Sequence, residues 1–161
     1  MDNMIIKMSF NLVPEALDIK EAVEKSFEKM RKTPKYKDYP ATVCSATSQD
    51  VWPETFTSTS KQMRKNIVTD QLRDAFINKL GGDVGDISPI TASKNPIGQC
   101  SEQHSANNLL RSHPIELLDN VKFSICLRPR TLEYIPTCIN CFTIFKNLDN
   151  GTNPQILSSF T

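Results

Sequence analysis

Three cysteines at the starts of two predicted helices constrain the fold of this chain more than any other feature. Cys100 begins one helical pattern, and Cys138 and Cys141 begin another much later in the sequence. A helix N-terminus carries partial positive charge, which lowers the pKa of a thiol and favours the thiolate that binds metals. A fold that brings the two helix starts together therefore creates a metal site with three thiolate ligands.

The cysteine count argues against a disulfide-stabilised fold. The chain has 161 residues and five cysteines, an odd number in a chain long enough to form an apolar core. We therefore expect a reducing compartment, with some of the cysteines bound to a metal. Cys44 and Cys126 lie in apolar, strand-like runs, and we expect them to be buried as small hydrophobic residues.

Composition and charge are those of an ordinary globular domain. Hydrophobic residues make up 39% of the chain, and 19 basic residues oppose 18 acidic ones. This balance gives no global electrostatic signature of a nucleic-acid-binding protein, but it leaves recognition by a local pocket open. The longest apolar runs are only a few residues long, whereas a membrane span needs about 20, so we expect no membrane partner. Lys7 interrupts the apolar N-terminal stretch, which argues against a secretory signal.

The chain divides into an N-terminal helical extension, residues 1–40, and a zinc domain, residues 41–161. In the extension, apolar residues at helical spacing predict an amphipathic helix over 14–32. The second region alternates strands and helices, which predicts an α/β fold with a central mixed sheet of four or five strands flanked by helices. We predict strands at 41–48, 53–59, 121–127 and 155–160, helices at 61–80, 100–111 and 137–148, and a long loop between Gly81 and Ile97.

A carboxylate stands beside the predicted metal site. Glu102 follows Cys100 by two residues, in the first turn of a helix, where the helix dipole alone also favours an acidic residue. A catalytic zinc site keeps three protein ligands and one open position for water. Glu102 is then placed to take a proton from that water and return it to a leaving group.

Both motifs resemble the zinc-dependent cytidine deaminase superfamily. Its signature is His/Cys-x-Glu followed by Pro-Cys-x-x-Cys; here the first part is CSE at 100–102 and the second PTCINC at 136–141, with Thr137 inserted after the proline. The resemblance implies a cytidine deaminase-like α/β/α sandwich, with Zn²⁺ on Cys100, Cys138 and Cys141 and Glu102 moving protons. It implies hydrolytic deamination of a nucleobase, with cytosine favoured over adenine.

Within the superfamily, the chain looks most like the YwqJ-related and other bacterial polymorphic toxin deaminases. The stretch TFTSTS, a predicted helix and then CSEQHSANNLL resemble that group. The resemblance implies a toxin or effector domain, delivered as part of a secreted toxin and acting in the cytoplasm on nucleic acid, single- or double-stranded, or on a nucleotide. It also implies an immunity protein as partner. Candidates to hold the base are Trp52, Phe56, Asn95 and Tyr134.

Several alternatives remain open from sequence. A free-nucleoside cytidine deaminase also uses Cys-x-Glu, although Asn140 departs from its usual second motif. A non-catalytic interaction module with structural zinc would need a fourth ligand, which His104 could supply. Cys100 paired with His104 or His113 would instead form a cysteine nucleophile site. Cys138 and Cys141 alone would suit a redox pair.

Overall fold

A five-stranded sheet organises the part of the chain that the structure describes. The computed structural model describes residues 42–52, 54–124, 126–128, 133–146 and 148. The predicted N-terminal extension, residues 1–40, with its helix at 14–32, and the predicted strand at 155–160 lie outside these residues. The described part combines strands and helices, as expected for an α/β protein.

The sheet is built around β1 (Val43–Thr47), all five residues of which are buried. It pairs with β2 (Phe56–Thr59) on one side and with β3 (Lys122–Phe123) and β4 (Cys126–Leu127) on the other. A further strand, β5 (Tyr134–Ile135), pairs with β4 and was not predicted. Every pairing among the described strands is antiparallel. The parallel pairing expected of a mixed sheet is therefore not found in this part of the chain.

A β-bulge interrupts the predicted strand at 121–127. Ala46 pairs with Phe123 and Val43 with Leu127, so the second side contains one residue more than the first between these pairs. The hydroxyl of Ser124 accepts a hydrogen bond from the backbone N–H of Ser45 at 3.0 Å. In a regular ladder, a backbone carbonyl of the partner strand would accept this bond. The bulge divides the predicted strand into β3 and β4.

The first described helix, α1 (Asp70–Ala75), continues as a π-helical turn, Phe76–Leu80, and starts later than predicted. The Ser60 hydroxyl lies just before the predicted start of this helix and accepts from the backbone N–H of Thr42. The N–H groups of Lys61 and Met63 donate to the carbonyls of Gln99 and Gly98, respectively. These bonds hold the segment that begins at Lys61 against a loop that is distant in sequence. The predicted start was wrong because the local pattern does not reveal that contact.

The capping residues of α1 explain its actual limits. Thr69 is the N-cap, and its side chain accepts from the N–H of Leu72. Gly81 ends the π-helical turn with a left-handed φ of 74°, as the Gly81–Gly82 pair predicts.

The helix α2 (Ser101–Ser112) packs across β1 and β2 and is buried over most of its length, including its polar residues. Those residues bond to backbone groups of neighbouring segments. Ser105 donates to the carbonyl of Cys44 at 2.7 Å, and the amide of Asn107 bonds both the N–H of Thr69 and the carbonyl of Ile67. Because buried polar groups are costly unless they are paired, these bonds fix the position of α2 on the sheet.

Two short helical elements complete the described chain. A 3₁₀ turn, Leu118–Asn120, precedes β3, and α3 (Ile139–Ile144) follows β5. The predicted start of α3 near 137 is close to the observed one, but Phe145 is extended, so the helix ends before residue 148. No helix in the described ranges has both the length and the apolar character needed to cross a membrane.

Gly98 is expected to tolerate substitution poorly. Its φ of 91° is left-handed, and an added Cβ would lie 3.2 Å from both Met63 and Val84. Gly98→Ala should lower the free energy of unfolding by roughly 2–4 kcal/mol through backbone strain and overpacking. Gly85→Ala is the matched control, because Gly85 has a φ of 93° but open space around it. Chemical denaturation should show a clearly smaller loss for the control; equal losses would contradict the packing argument.

Candidate metal centre

The two predicted cysteine motifs meet at adjoining helix N-termini. Cys100 is the N-cap of α2 and Cys138 is the N-cap of α3, both with extended backbone and neither capping its helix through its side chain. Their sulfurs are 3.0 Å apart, and the Sγ atoms of Cys138 and Cys141 are 3.6 Å apart. The three sulfurs all lie within 4.8 Å of one another, close enough to bind a single metal ion.

The hydrogen bonds among these thiols already favour one thiolate. Hydrogen bonds with Cys100 and then with Cys141, together with the backbone N–H groups of Cys141 and Asn140, lower the pKa of Cys138 to about 3 although burial opposes this. The hydrogen bond to Cys138 is also the main reason that the pKa of Cys100 is raised. Cys138 is therefore the charged acceptor, and Cys100 keeps the proton that it donates.

The donor set fits zinc. Zinc–thiolate bonds of about 2.3 Å in a tetrahedral arrangement place the sulfurs about 3.8 Å apart. The measured separations of 3.0 and 3.6 Å require only a small outward movement to reach that spacing. Soft thiolates select zinc or copper(I) over magnesium and calcium. The three cysteines would hold the ion, and a catalytic zinc site with three protein ligands keeps a further position for water.

Gln103 supports the cluster from behind. It is fully buried, its Nε2 donates to Cys141 Sγ at 3.5 Å, and its Oε1 accepts from the N–H of Gly98 at 2.7 Å. A donor aimed at a ligand sulfur stabilises negative charge on it. Gln103 therefore links the thiol cluster to the loop that precedes α2.

We expect Gln103→Glu to weaken zinc binding by roughly 10- to 100-fold. Glutamate keeps the acceptor for Gly98 but removes the donor to Cys141 and adds negative charge beside the thiolates. Competition with a chromophoric chelator measures the change. Gln62→Glu is the control, because Gln62 bonds the same loop without contacting a cysteine. Equal zinc affinity of Gln103→Glu and wild type would show that this hydrogen bond does not tune the metal.

Glu102 lies beside the thiols in a buried position, with 4% of its surface exposed. Burial raises the pKa of its carboxyl group, the negative charge of Cys138 acts in the same direction, and hydrogen bonds from its own backbone N–H, Cys126 and Ser101 oppose the rise. Glu102 can therefore hold a proton at a pH where an exposed glutamate is ionised. The group is suited to proton transfer.

Cys126 has a second role that its sequence position did not predict. It is buried, as expected, but its sulfur lies 3.6 Å from Ser101 Oγ and it lines the cavity beside Glu102. A hydrogen bond with Cys44 and then burial raise the pKa of Cys126, so its thiol remains protonated and can donate to Glu102.

A cavity of about 140 Å³ opens beside the thiols and Glu102. Its walls come from the start of β1, the end of β2, the loop before α2 and the segment around β5. The residues that line it are Thr42, Ser60, Asn95, Gln99, Cys100, Glu102, Cys126, Ile135, Pro136 and Cys138. Gln99 and the hydroxyls of Thr42 and Ser60 were not predicted from sequence. Gln99 reaches the cavity through the fold of the 81–99 loop, and Thr42 and Ser60 reach it through the pairing of β1 with β2.

Of the four residues predicted to hold a base, Asn95 lines this cavity. Trp52 and Phe56 do not, because they lie towards the end of β1 that is remote from Thr42, about 14 Å or more of strand away. Phe56 pairs with Ala46 and packs edge-on against His113. The side chain of Tyr134 lies outside what the structure describes.

Neither histidine belongs to the thiol cluster. His104 Nε2 donates to the carbonyl of Lys61 at 2.5 Å, and burial lowers the pKa of its ring, which favours the neutral form. His113 ends α2 and bonds Glu54 at 2.9 Å. Among the described residues, the group close enough to share a metal contains the three cysteines and no histidine. Neither a fourth histidine ligand nor a cysteine–histidine nucleophile fits this arrangement.

No protein-family model matches the chain, and no match is found among curated proteins or among solved structures. The function must therefore be inferred from the cysteines, Glu102 and the cavity that they share.

Proposed function

We propose that this protein is a zinc-dependent hydrolytic deaminase of a nucleobase, with cytosine favoured over adenine. One observation carries the proposal: two thiols of the three-cysteine cluster, those of Cys100 and Cys138, line the same small cavity as a buried, protonatable carboxyl group. This combination would provide both a metal site with an open position and a group that can move protons beside it.

Cys100, Cys138 and Cys141 would hold the ion. Bound zinc would supply a Lewis acid that makes water a nucleophile near neutral pH. Glu102 would move one proton from that water to the ring nitrogen as the hydroxyl group adds to the ring carbon. It would move the proton of that hydroxyl group to the amine, which leaves as ammonia while a carbonyl group forms at the same carbon. The Cys126 thiol and Ser101 would orient the Glu102 carboxyl group during both transfers.

The size of the cavity favours the smaller ring. Its 140 Å³ lies well below the roughly 300 Å³ at which pockets for drug-sized ligands begin. A single pyrimidine ring suits this space better than a purine. The sugar and phosphate of a nucleotide or nucleic acid would then remain outside, so a base in a strand must be extruded to enter.

The toxin assignment belongs to the same proposal. The CSE and PTCINC motifs and their order support a toxin-like deaminase that acts in the cytoplasm on nucleic acid or a nucleotide. An immunity protein that blocks the cavity would be its partner. We propose no closed structural zinc site, because the metal-binding group among the described residues has three members.

Metal content and product analysis test the proposal. Protein purified without added metal should contain about one zinc per chain and should convert cytosine to uracil in at least one of cytidine, single-stranded DNA, duplex DNA and RNA. Adenine-containing substrates should react more slowly. Folded protein that binds no zinc at the three cysteines would overturn the proposal, as would zinc-loaded protein that is inert on all of these substrates.

A further inference from the structure

We propose that the side-chain amides of Asn95 and Gln99 determine which base enters the cavity, and that Asn140 positions Asn95 for this role. The inference rests on the proposed deaminase function and adds the residues that select its substrate. The side chains of Gln99 and Asn140 have no role in the metal chemistry described above.

Asn95 and Gln99 have fixed backbones and free side chains. The N–H of Asn95 donates to Ser93 Oγ at 3.2 Å, and the carbonyl of Gln99 accepts from the N–H of Lys61 at 3.0 Å. Both residues line the cavity. Within the described part of the chain, neither side-chain amide forms a hydrogen bond. Two carboxamides are therefore held at the cavity with their donors and acceptors uncommitted.

Asn140 couples this loop to the metal-binding helix. It lies between Cys138 and Cys141 in sequence and is fully buried. Its Nδ2 donates to the carbonyl of Asn95 at 3.0 Å, and its Oδ1 accepts from the hydroxyl of Thr91. Because a buried amide with both ends bonded has little freedom, the position of Asn95 is fixed relative to the cysteines.

The cavity lining favours a neutral heterocycle. Among the described residues, no lysine, arginine or histidine lines it, and Glu102 is the one carboxyl group in the lining. This part of the lining therefore offers no cation to a phosphate. A carboxamide presents a donor and an acceptor side by side, which complements the adjacent carbonyl, ring nitrogen and amine of cytosine. The ligand class is an uncharged pyrimidine whose phosphate, where present, stays outside.

Isosteric substitutions in the zinc-loaded full chain test the first part. Asn95→Asp and Gln99→Glu keep the shape but replace the NH₂ donor by an acceptor. With cytidine and a short cytosine-containing DNA strand as substrates, each should raise KM at least about 10-fold while kcat changes less than about 3-fold. Zinc content should not change. Lys94→Gln is the control: Lys94 neighbours Asn95 but does not line the cavity, and its KM should stay at the wild-type value.

A double-mutant cycle tests the role of Asn140. Asn140→Ala and Asn95→Ala should each raise KM. The KM of the double variant should not exceed the higher of the two single-variant values, because both changes disable the same amide. A positioning role is contradicted if the two effects multiply. Variants that lose zinc are excluded by measuring metal content first.

The outcomes separate this inference from the proposed function. An active wild type whose KM and base preference are unchanged by Asn95→Asp and Gln99→Glu would overturn the inference and leave the deaminase intact. An inactive wild type would overturn the deaminase. Calorimetry with cytidine and zinc-loaded Glu102→Gln protein then tests the inference independently of turnover. Binding to this protein that is lost when Asn95→Asp is added supports the inference. Absence of cytidine binding to the Glu102→Gln protein overturns it.

Discussion

Replacing Glu102 by glutamine should lower kcat for cytosine deamination by roughly 10²- to 10⁴-fold, the usual contribution of a general acid–base group. Glutamine has nearly the same size and keeps one acceptor oxygen, but it cannot carry the proton from water to the leaving amine. Because Glu102 is outside the three-sulfur group, zinc should remain bound at about one ion per chain. Steady-state kinetics and elemental analysis of the same preparation measure both quantities.

Glu116→Gln is the matched control for Glu102→Gln. Glu116 lies in the turn after α2 and does not line the cavity beside the thiols, so kcat should stay within about twofold of wild type. Full activity in the Glu102 variant would remove the proposed mechanism. Loss of both zinc and fold would instead assign Glu102 a structural role, since its buried carboxyl group bonds to Ser101 and Cys126.

Serine substitution of any of the three clustered cysteines should weaken zinc binding by roughly 100-fold or more, because each removes one of three thiolate ligands. Cys100→Ser, Cys138→Ser and Cys141→Ser should therefore be purified with far less than one zinc per chain and should be inactive. Elemental analysis and the loss of the sulfur-to-cobalt charge-transfer band on cobalt substitution are the measurements.

Cys126→Ser separates cavity residues from metal ligands. Cys126 is buried and lines the same cavity, but it is not a member of the metal-binding group. Its serine variant should keep about one zinc, with kcat reduced because the hydrogen bond to Glu102 changes. Equal zinc loss in Cys126→Ser and Cys138→Ser would mean that the site is a closed four-thiolate site, and the open-position chemistry would fail.

The helix starts that carry the cysteines could be predicted because their signals are local. A periodic apolar pattern behind Cys100 and Pro136 before Cys138 mark where α2 and α3 begin, and the structure places both cysteines at N-caps. The prediction that these two helix starts lie close together came from the two cysteine motifs and not from the apolar periodicity of the helices. The strands β1 and β2 were predictable for the same local reasons, with only their ends displaced.

The errors come from contacts between distant segments. The helix expected from Lys61 starts at Asp70 because the preceding residues bond to the loop near Gly98. Trp52 and Phe56 were chosen as base-binding aromatics, but the sequence does not indicate which end of a strand meets the helix N-termini. Gln99 and Cys126 reach the cavity through a loop conformation and a bulge, neither of which has a local pattern.

The bulge also leaves this chain room to diverge in length over evolutionary time. Between the pairs Ala46–Phe123 and Val43–Leu127, the side opposite β1 carries one residue more than a regular ladder needs. Loss of that one residue would keep both pairs, and therefore the face of β4 on which Cys126 lies. Loss of a second residue would shift the pairing by one position and exchange the faces of β4, bringing Leu127 to the cavity in place of Cys126. Related chains should therefore tolerate a deletion of one residue in this segment far better than a deletion of two.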